Sequence, residues 1–249
     1  MHWPNPSVLD PIMALLRERA ADAVEEMDAS DCDPVRLENT YTQFSLVNRL
    51  VSGWRRLYRT ELLPQLSSAT PTTLLDIGCG GGDIPVLLAE WAARDGKQLL
   101  VTGIDPDERA YRFAAERPAT AGVTFRQAFS AELVSEGLTF DVVISNHVLH
   151  HVPAAELQQF LMESASLSRG TVIHNDLRRS VAAYAIFSVA ALPLRHSFIR
   201  QDGLTSIRRS YTPSELDART PPAWTAERRF PFRTVLHHRK PELPGALNP

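Results

Sequence analysis

Cysteine is nearly absent. The 249 residues contain only Cys32 and Cys79, too few for a disulfide framework and consistent with a reducing, cytoplasmic compartment. Neither sign of charge dominates: 26 basic and 29 acidic residues leave a formal net charge of −3. The chain exerts no general pull on polyanions, so no nucleic-acid partner is expected. A long hydrophobic run is also missing. The longest, Val181 to Leu194, is interrupted by Ser188 and Pro193 and falls short of the ~20 residues a bilayer requires, so stable membrane insertion is not expected. Met1-His2-Trp3-Pro4 lacks the basic-then-apolar order of a secretion signal. No repeat and no clustered metal-ligand spacing stands out, so no metal is expected; oligomeric state is not legible.

What is present is organised around Leu74-Leu75-Asp76-Ile77-Gly78-Cys79-Gly80-Gly81-Gly82-Asp83. An apolar strand runs into glycines and then into a helix that begins near Asp83, a candidate N-cap. Glycines at such a turn let a ligand approach the backbone and use the free N–H groups at the helix start, which points to a nucleotide-like cofactor. The dinucleotide fingerprint places a third glycine three residues after the second, but here that slot is Asp83, which weakens the NAD reading.

The length suits one domain, or one domain with an appendage. Residues 7 to 28 read as a helix with Val8, Ile12, Leu15 and Leu16 on its apolar face. A second helical region, 35 to 63, is interrupted near Gly53. From Pro71 strand and helix alternate, as expected of a parallel α/β sheet: strands at 71–76, 98–105, 123–126, 140–145 and 170–175, helices at 84–91, 106–117 and 154–168, and a closing antiparallel pair within 224–240. We therefore expect an N-terminal helical cap (1–70) on a core (71–249), with an insertion at 177–212. The apolar helix around Tyr184 to Phe187 in that insertion is expected to be buried or to face substrate.

In such sheets ligands bind at the carboxyl ends of the strands. Asp105 ends the second strand and can accept hydrogen bonds from both hydroxyls of a ribose, in either cofactor reading. His150 and His151 follow the fourth strand; imidazole titrates near neutrality, so either is a candidate general base. Asp176, after the fifth strand, is a candidate base or orienting carboxylate, or else a partner of Arg178 or Arg179.

The spacing Asp76-x-Gly78-x-Gly80-x-Gly82 together with Asp105 resembles class I S-adenosylmethionine (SAM) methyltransferases. The segment Tyr41 to Leu50, followed by Trp54-Arg55-Arg56-Leu57-Tyr58, is similar to what precedes the core in the ubiquinone/menaquinone methyltransferases. The resemblance implies a Rossmann-like, seven-stranded, mostly parallel sheet with SAM as cofactor. Asp76 would take the methionine ammonium, Gly78, Gly80 and Gly82 would cradle the cofactor, and Asp105 with Pro106 would flank the ribose. Phe129 would stack on the adenine and Ser130 would meet its amine, in a slot where many members carry an acid. Asn146 would lie near the sulfonium, Tyr41 would approach the methionine or sulfonium, and Asn48 would fix the helix. Insertions like 177–212 usually cover the substrate, with Arg208 or Arg209 meeting an acidic or phenolate group. The implied reaction is methyl transfer to a small, lipophilic aromatic acceptor such as a phenol, hydroquinone or polyketide, on oxygen rather than carbon. The alternatives are an NAD-dependent oxidoreductase and a non-catalytic SAM-binding regulator.

Overall fold

The computed structural model describes the backbone of residues 6–240 and the side chains of 10–240. Seven strands form one sheet in the order β3-β2-β1-β4-β5-β7-β6. They are β1 (Thr72–Ile77), β2 (Leu99–Asp105), β3 (Val123–Gln127), β4 (Phe140–Asn146), β5 (Ser168–Leu177), β6 (Trp224–Arg229) and β7 (Arg233–Arg239). β1 to β5 run parallel, and β7 is antiparallel to both β5 and β6. The expected seven-stranded α/β sheet is therefore present.

Both faces are covered, which is why the central strands are continuously apolar. Successive side chains point to opposite faces, and the core divides accordingly. Leu74, Val142, Ile144, Ile173 and Val235 join Trp54, Tyr58, Leu88 and Trp91 on one side. Leu75, Val143, Val172 and Leu236 join Leu133, Leu157, Leu161 and Trp224 on the other. Each such fully buried side chain contributes about 1.5–3 kcal/mol. The flanking helices in chain order are α1 (Pro6–Leu15), α2 (Pro34–Val51), α3 (Trp54–Leu57), α4 (Asp83–Arg94), α5 (Glu108–Ala115), α6 (Ser130–Ser135), α7 (Leu157–Leu167), α8 (Val181–Ala190), α9 (Ile199–Arg209) and α10 (Pro213–Asp217).

Strand order reverses at β1, whose neighbours are β2 and β4, so a ligand crevice is expected at their carboxyl ends. The β1–β4 pairing ends with Asp76 opposite Ile144, while β4 continues to Asn146.

The structure departs from the sequence reading in three places. The helix expected over 7–28 stops at Leu15 and only a short 3₁₀ turn, Glu26–Asp28, follows; the side chain of Val8 lies outside the described residues. Between them the chain makes turns and bonds to distant elements: Ala20 N–H donates to Arg208 O at 3.1 Å and Arg19 to Arg209 O at 2.6 Å, a tertiary override of helix propensity. Second, Gly82 (φ 77°) caps α4 and Asp83 is its first residue. Third, of the two alternatives for α8 the buried one does not hold: Ile186 and Val189 are more than half exposed. Among the described residues no helix is long and apolar enough to cross a membrane.

The N-terminal segment and the stretch after β5 are bonded together. Asp202 on α9 accepts from the backbone N–H of Glu26 (2.8 Å) and Met27 (3.0 Å). Thr40, Asn39 and Gln43 of α2 bond Phe198 N–H, His196 O and Arg195 O.

Candidate active site

The glycines after β1 have different tasks. Gly78 (φ 69°) and Gly82 (φ 77°) adopt the left-handed conformation, and a Cβ on them would lie 2.6 Å from Val148 and 2.5 Å from Phe125. Gly80 (φ 53°) faces no atom within 4 Å, leaving open space beside the crevice. Gly80→Ala is therefore expected to fold with a loss of about 1–2 kcal/mol from the left-handed backbone, seen as a modest drop in melting temperature. Gly78→Val, which drives atoms into Val148, is expected to give little folded protein; circular dichroism melts separate the two.

Three carboxylates border this loop. Asp76 is 1% exposed, and neither of its oxygens has a hydrogen-bond partner. Burial, then the neighbouring charges of Asp83 and Asp105, push its pKa well above the usual carboxylate range. Asp83 accepts from Asn48 Nδ2 of α2 at 3.0 Å; burial raises its pKa as well. Asp105 accepts from Gly80 N–H (2.8 Å) and from Asp107 N–H (3.0 Å), which leaves lone pairs on both oxygens for further donors. Pro106 is exposed at the end of β2, and its carbonyl accepts from Gln127 at 3.2 Å.

Tyr41 is buried beside this acidic rim. Its ring lies 5.1 Å from Phe113, its Cβ abuts the Gly81 position, and burial followed by Asp107 and Asp105 raises its pKa. It thus packs against the glycine loop and α5. Phe129 is 63% exposed, so it is not core and its face is free for stacking. Ser130 is buried, and its hydroxyl donates to Glu163 on α7.

On the β4 side Asn146 is bonded within the protein. Its Oδ1 is saturated within the protein, accepting from Trp54 Nε1 (3.0 Å) and Asn175 Nδ2 (3.1 Å), with Arg233 Nη2 at 3.4 Å. Asn175 and Arg233 also donate to Ser52 O, at 2.8 and 2.9 Å. This polar lattice at the ends of β4 and β5 holds the loop that follows Asn146.

His150 is held between two carboxylates. Its Nδ1 lies 2.7 Å from Asp176 Oδ1, its backbone N–H donates to Asp176 Oδ2 at 2.8 Å, and its Nε2 faces Glu25 at 3.4 Å. Burial opposes charging the ring, but Asp176 and then Glu25 outweigh it and lift its pKa to about 9. Those carboxylates are held low, Glu25 at about 2 against an opposing burial effect, and Asp176 below its ordinary range for the same reason. Imidazolium has no lone pair with which to take a proton. Asp176 is thus the fixed counter-ion of His150 and pairs with neither Arg178 nor Arg179. Arg179 is taken by Glu215.

His151 keeps 36% of its side chain exposed, with Nε2 3.7 Å from Glu25 and Nδ1 3.5 Å from Asp28. Glu25, His150 and His151 place three metal-ligating groups within 4.8 Å of one another. Positive charge is already supplied there by His150 and by Arg209, whose Nη1 is 3.4 Å from Glu25. Of Arg208 and Arg209, either of which was expected to meet an acidic or phenolate group, Arg209 meets Glu25. Sequence reasoning missed Glu25, His147 and Arg233. Nothing in the local sequence marks Glu25 or Arg233, because each acquires its partner from a distant part of the chain; His147 carried a signal, its place directly after β4.

Residues 74–171 match a family model described as a methyltransferase domain. Over that stretch the chain is similar to methyltransferases. Similar curated proteins are the ubiquinone biosynthesis O-methyltransferases of Rhizobium leguminosarum bv. trifolii (36% identical over 122 residues, 47% of this chain and 45% of that protein) and Caulobacter vibrioides (39% over 124 residues, 48% and 46%). The matched stretch thus spans about half the length of these relatives. Among solved structures, a SAM-dependent methyltransferase from Aquifex aeolicus superposes with TM-score 0.52 over 83% of this chain and 98% of that one, at 15% identity. That likeness carries the fold: the domain's sheet is of the class I methyltransferase type.

Proposed function

We propose that the protein transfers the methyl group of SAM to an oxygen of a small, largely apolar aromatic acceptor such as a phenol, hydroquinone or polyketide. One observation carries the cofactor reading: a fully buried carboxylate, Asp76, has no partner of its own at the end of β1, where the strand runs into the glycine loop. A buried unpaired charge is strongly destabilising unless a ligand supplies the missing donors. The α-ammonium of SAM is such a donor. Asp105 would hold the ribose hydroxyls and Phe129 would cover the adenine, so the residues present fit the group.

When bound, SAM supplies an already activated methyl as its sulfonium; the protein's part is to hold the acceptor in line and exclude water. The helical cap (1–70) and the insertion (177–212) would serve as a joint cover, a role supported by the hydrogen bonds between α2 and the segment leading into α9. His151, the exposed member of the histidine pair, is the residue left to assist proton removal where an acceptor is neutral. Oxygen rather than carbon as target is supported by the ubiquinone biosynthesis O-methyltransferases among the relatives. The test is transfer of label from methyl-labelled SAM across a panel of phenols, hydroquinones and aromatic polyketides, with the product's new methyl located by NMR. An O-methyl product is expected. Good SAM binding with no transfer to any aromatic acceptor would contradict the reading.

A further inference from the structure

His147 is the first residue beyond β4 and has φ 62°, in the left-handed region that His, like Asn and Asp, enters more often than other side chains. Its backbone N–H donates to Asn175 O at 2.9 Å. The next residue, Val148, packs on Gly78, so His147 sits at the β1/β4 switch point itself. Its Nε2 is bonded to Nη1 of Arg233. A guanidinium has only donors, so Nε2 must present its lone pair and the ring proton of the neutral imidazole must be on Nδ1.

Arg233 is unusual in its own right. It is 2% exposed, and among the described residues no carboxylate lies within salt-bridge distance. Its partners are the neutral groups Ser52 O, Asn146 and His147. A buried cation paired only with neutral acceptors creates a positive field directed at the ring it holds.

We propose that His147 receives the methyl acceptor as a hydrogen-bond donor through Nδ1, fixed in that role by Arg233, and that the site thereby selects an acceptor oxygen that is already ionised, a carboxylate or an acidic phenolate. The inference rests on the methyltransferase reading above and deepens it. In the step itself an oxygen lone pair forms the new O–CH₃ bond as the S–CH₃ bond breaks with its electron pair returning to sulfur. An ionised acceptor has no proton to lose, so no base is needed. The charged groups facing His147 agree. Burial and then Arg233 hold its pKa well below the usual range, His150 and His151 push the same way, and Asp176 alone opposes.

Two measurements test this. In ¹⁵N-histidine spectra of the full chain, the resonances lost in His147→Asn should show protonated Nδ1 and bare Nε2, unchanged between about pH 5.5 and 8.5. A ring that titrates in that range, or carries its proton on Nε2, overturns the proposal. The second uses methyl-labelled SAM with benzoate-type acids, acidic nitrophenols and unsubstituted phenols. The acid limb of kcat/KM should follow each acceptor's own pKa. His147→Gly, which relaxes the backbone, should lose about 100-fold in kcat/KM for the acceptor with SAM affinity unchanged. His147→Asn, which keeps a donor, should stay within about tenfold of wild type. A single limb shared by all acceptors, or wild-type rates in His147→Gly, overturns the proposal while leaving the methyltransferase reading intact. Loss of SAM binding by the wild-type protein would instead remove that reading, and this inference with it.

Discussion

Asp76→Asn is expected to weaken SAM binding by about two to three orders of magnitude and to raise the melting temperature of the cofactor-free protein. The two effects have one cause. The carboxylate is buried without a hydrogen-bond partner, and its pKa is raised by burial ahead of the Asp83 and Asp105 charges. A carboxyl whose folded pKa exceeds its unfolded one supports the fold while protonated, and that support is lost as pH rises through the folded value. At neutral pH the residue therefore strains the empty protein, and an amide does not. An increase of about 1 kcal/mol, or roughly 2–4 °C, is expected in calorimetry without ligand. With SAM the order reverses. A charge-assisted contact to the ammonium is lost, worth about 3–4 kcal/mol with its desolvated surroundings. A drop in melting temperature of the empty variant would contradict the idea that Asp76 is kept for a ligand.

The second large effect is expected from Asp176→Asn, a destabilisation of about 3–5 kcal/mol from leaving the buried His150 imidazolium half-paired. The pH dependence separates this from simple loss of packing. His150 has its pKa raised to about 9, so its contribution is complete below the unfolded value near 6.5 and disappears as pH climbs through 9. Glu25, held at about 2, contributes fully above its ordinary range near 4.5 and loses that contribution as pH falls through 2. Wild-type melting temperature should therefore decline between about pH 6.5 and 9 by several degrees, and Asp176→Asn should flatten that decline. An unchanged alkaline slope in the variant would show that the clamp is not what His150 provides.

These expectations show where the sequence was readable. The strand-glycine-helix pattern, Asp76 and Asp105 are local signals: period, turn chemistry and strand-end acids lie within a few residues of one another. The sheet followed from the same alternation, and the interruption at Gly53 from a residue whose φ of 78° the structure confirms. The clamp on His150 was not legible because its two carboxylates lie far off in the chain, on the segment before α2 and on β5, and only the fold shows them on either side of one ring. The pairing of Arg233 with His147 was invisible for the same reason: one lies on β7, the other after β4. The 7–28 segment failed in the opposite sense, since its helical periodicity was real but hydrogen bonds to α9 and to the loop after β4 prevailed.

The central claim is that the loop from Asp76 to Asp83, with Asp105, is a SAM site. Isothermal titration of SAM and of NADH into the wild-type chain and into Asp76→Asn tests it most directly. The account predicts saturable SAM binding by the wild type, its near-complete loss in the variant, and no NADH binding by either. Tight NADH binding without SAM binding, or SAM affinity untouched by Asp76→Asn, would contradict it.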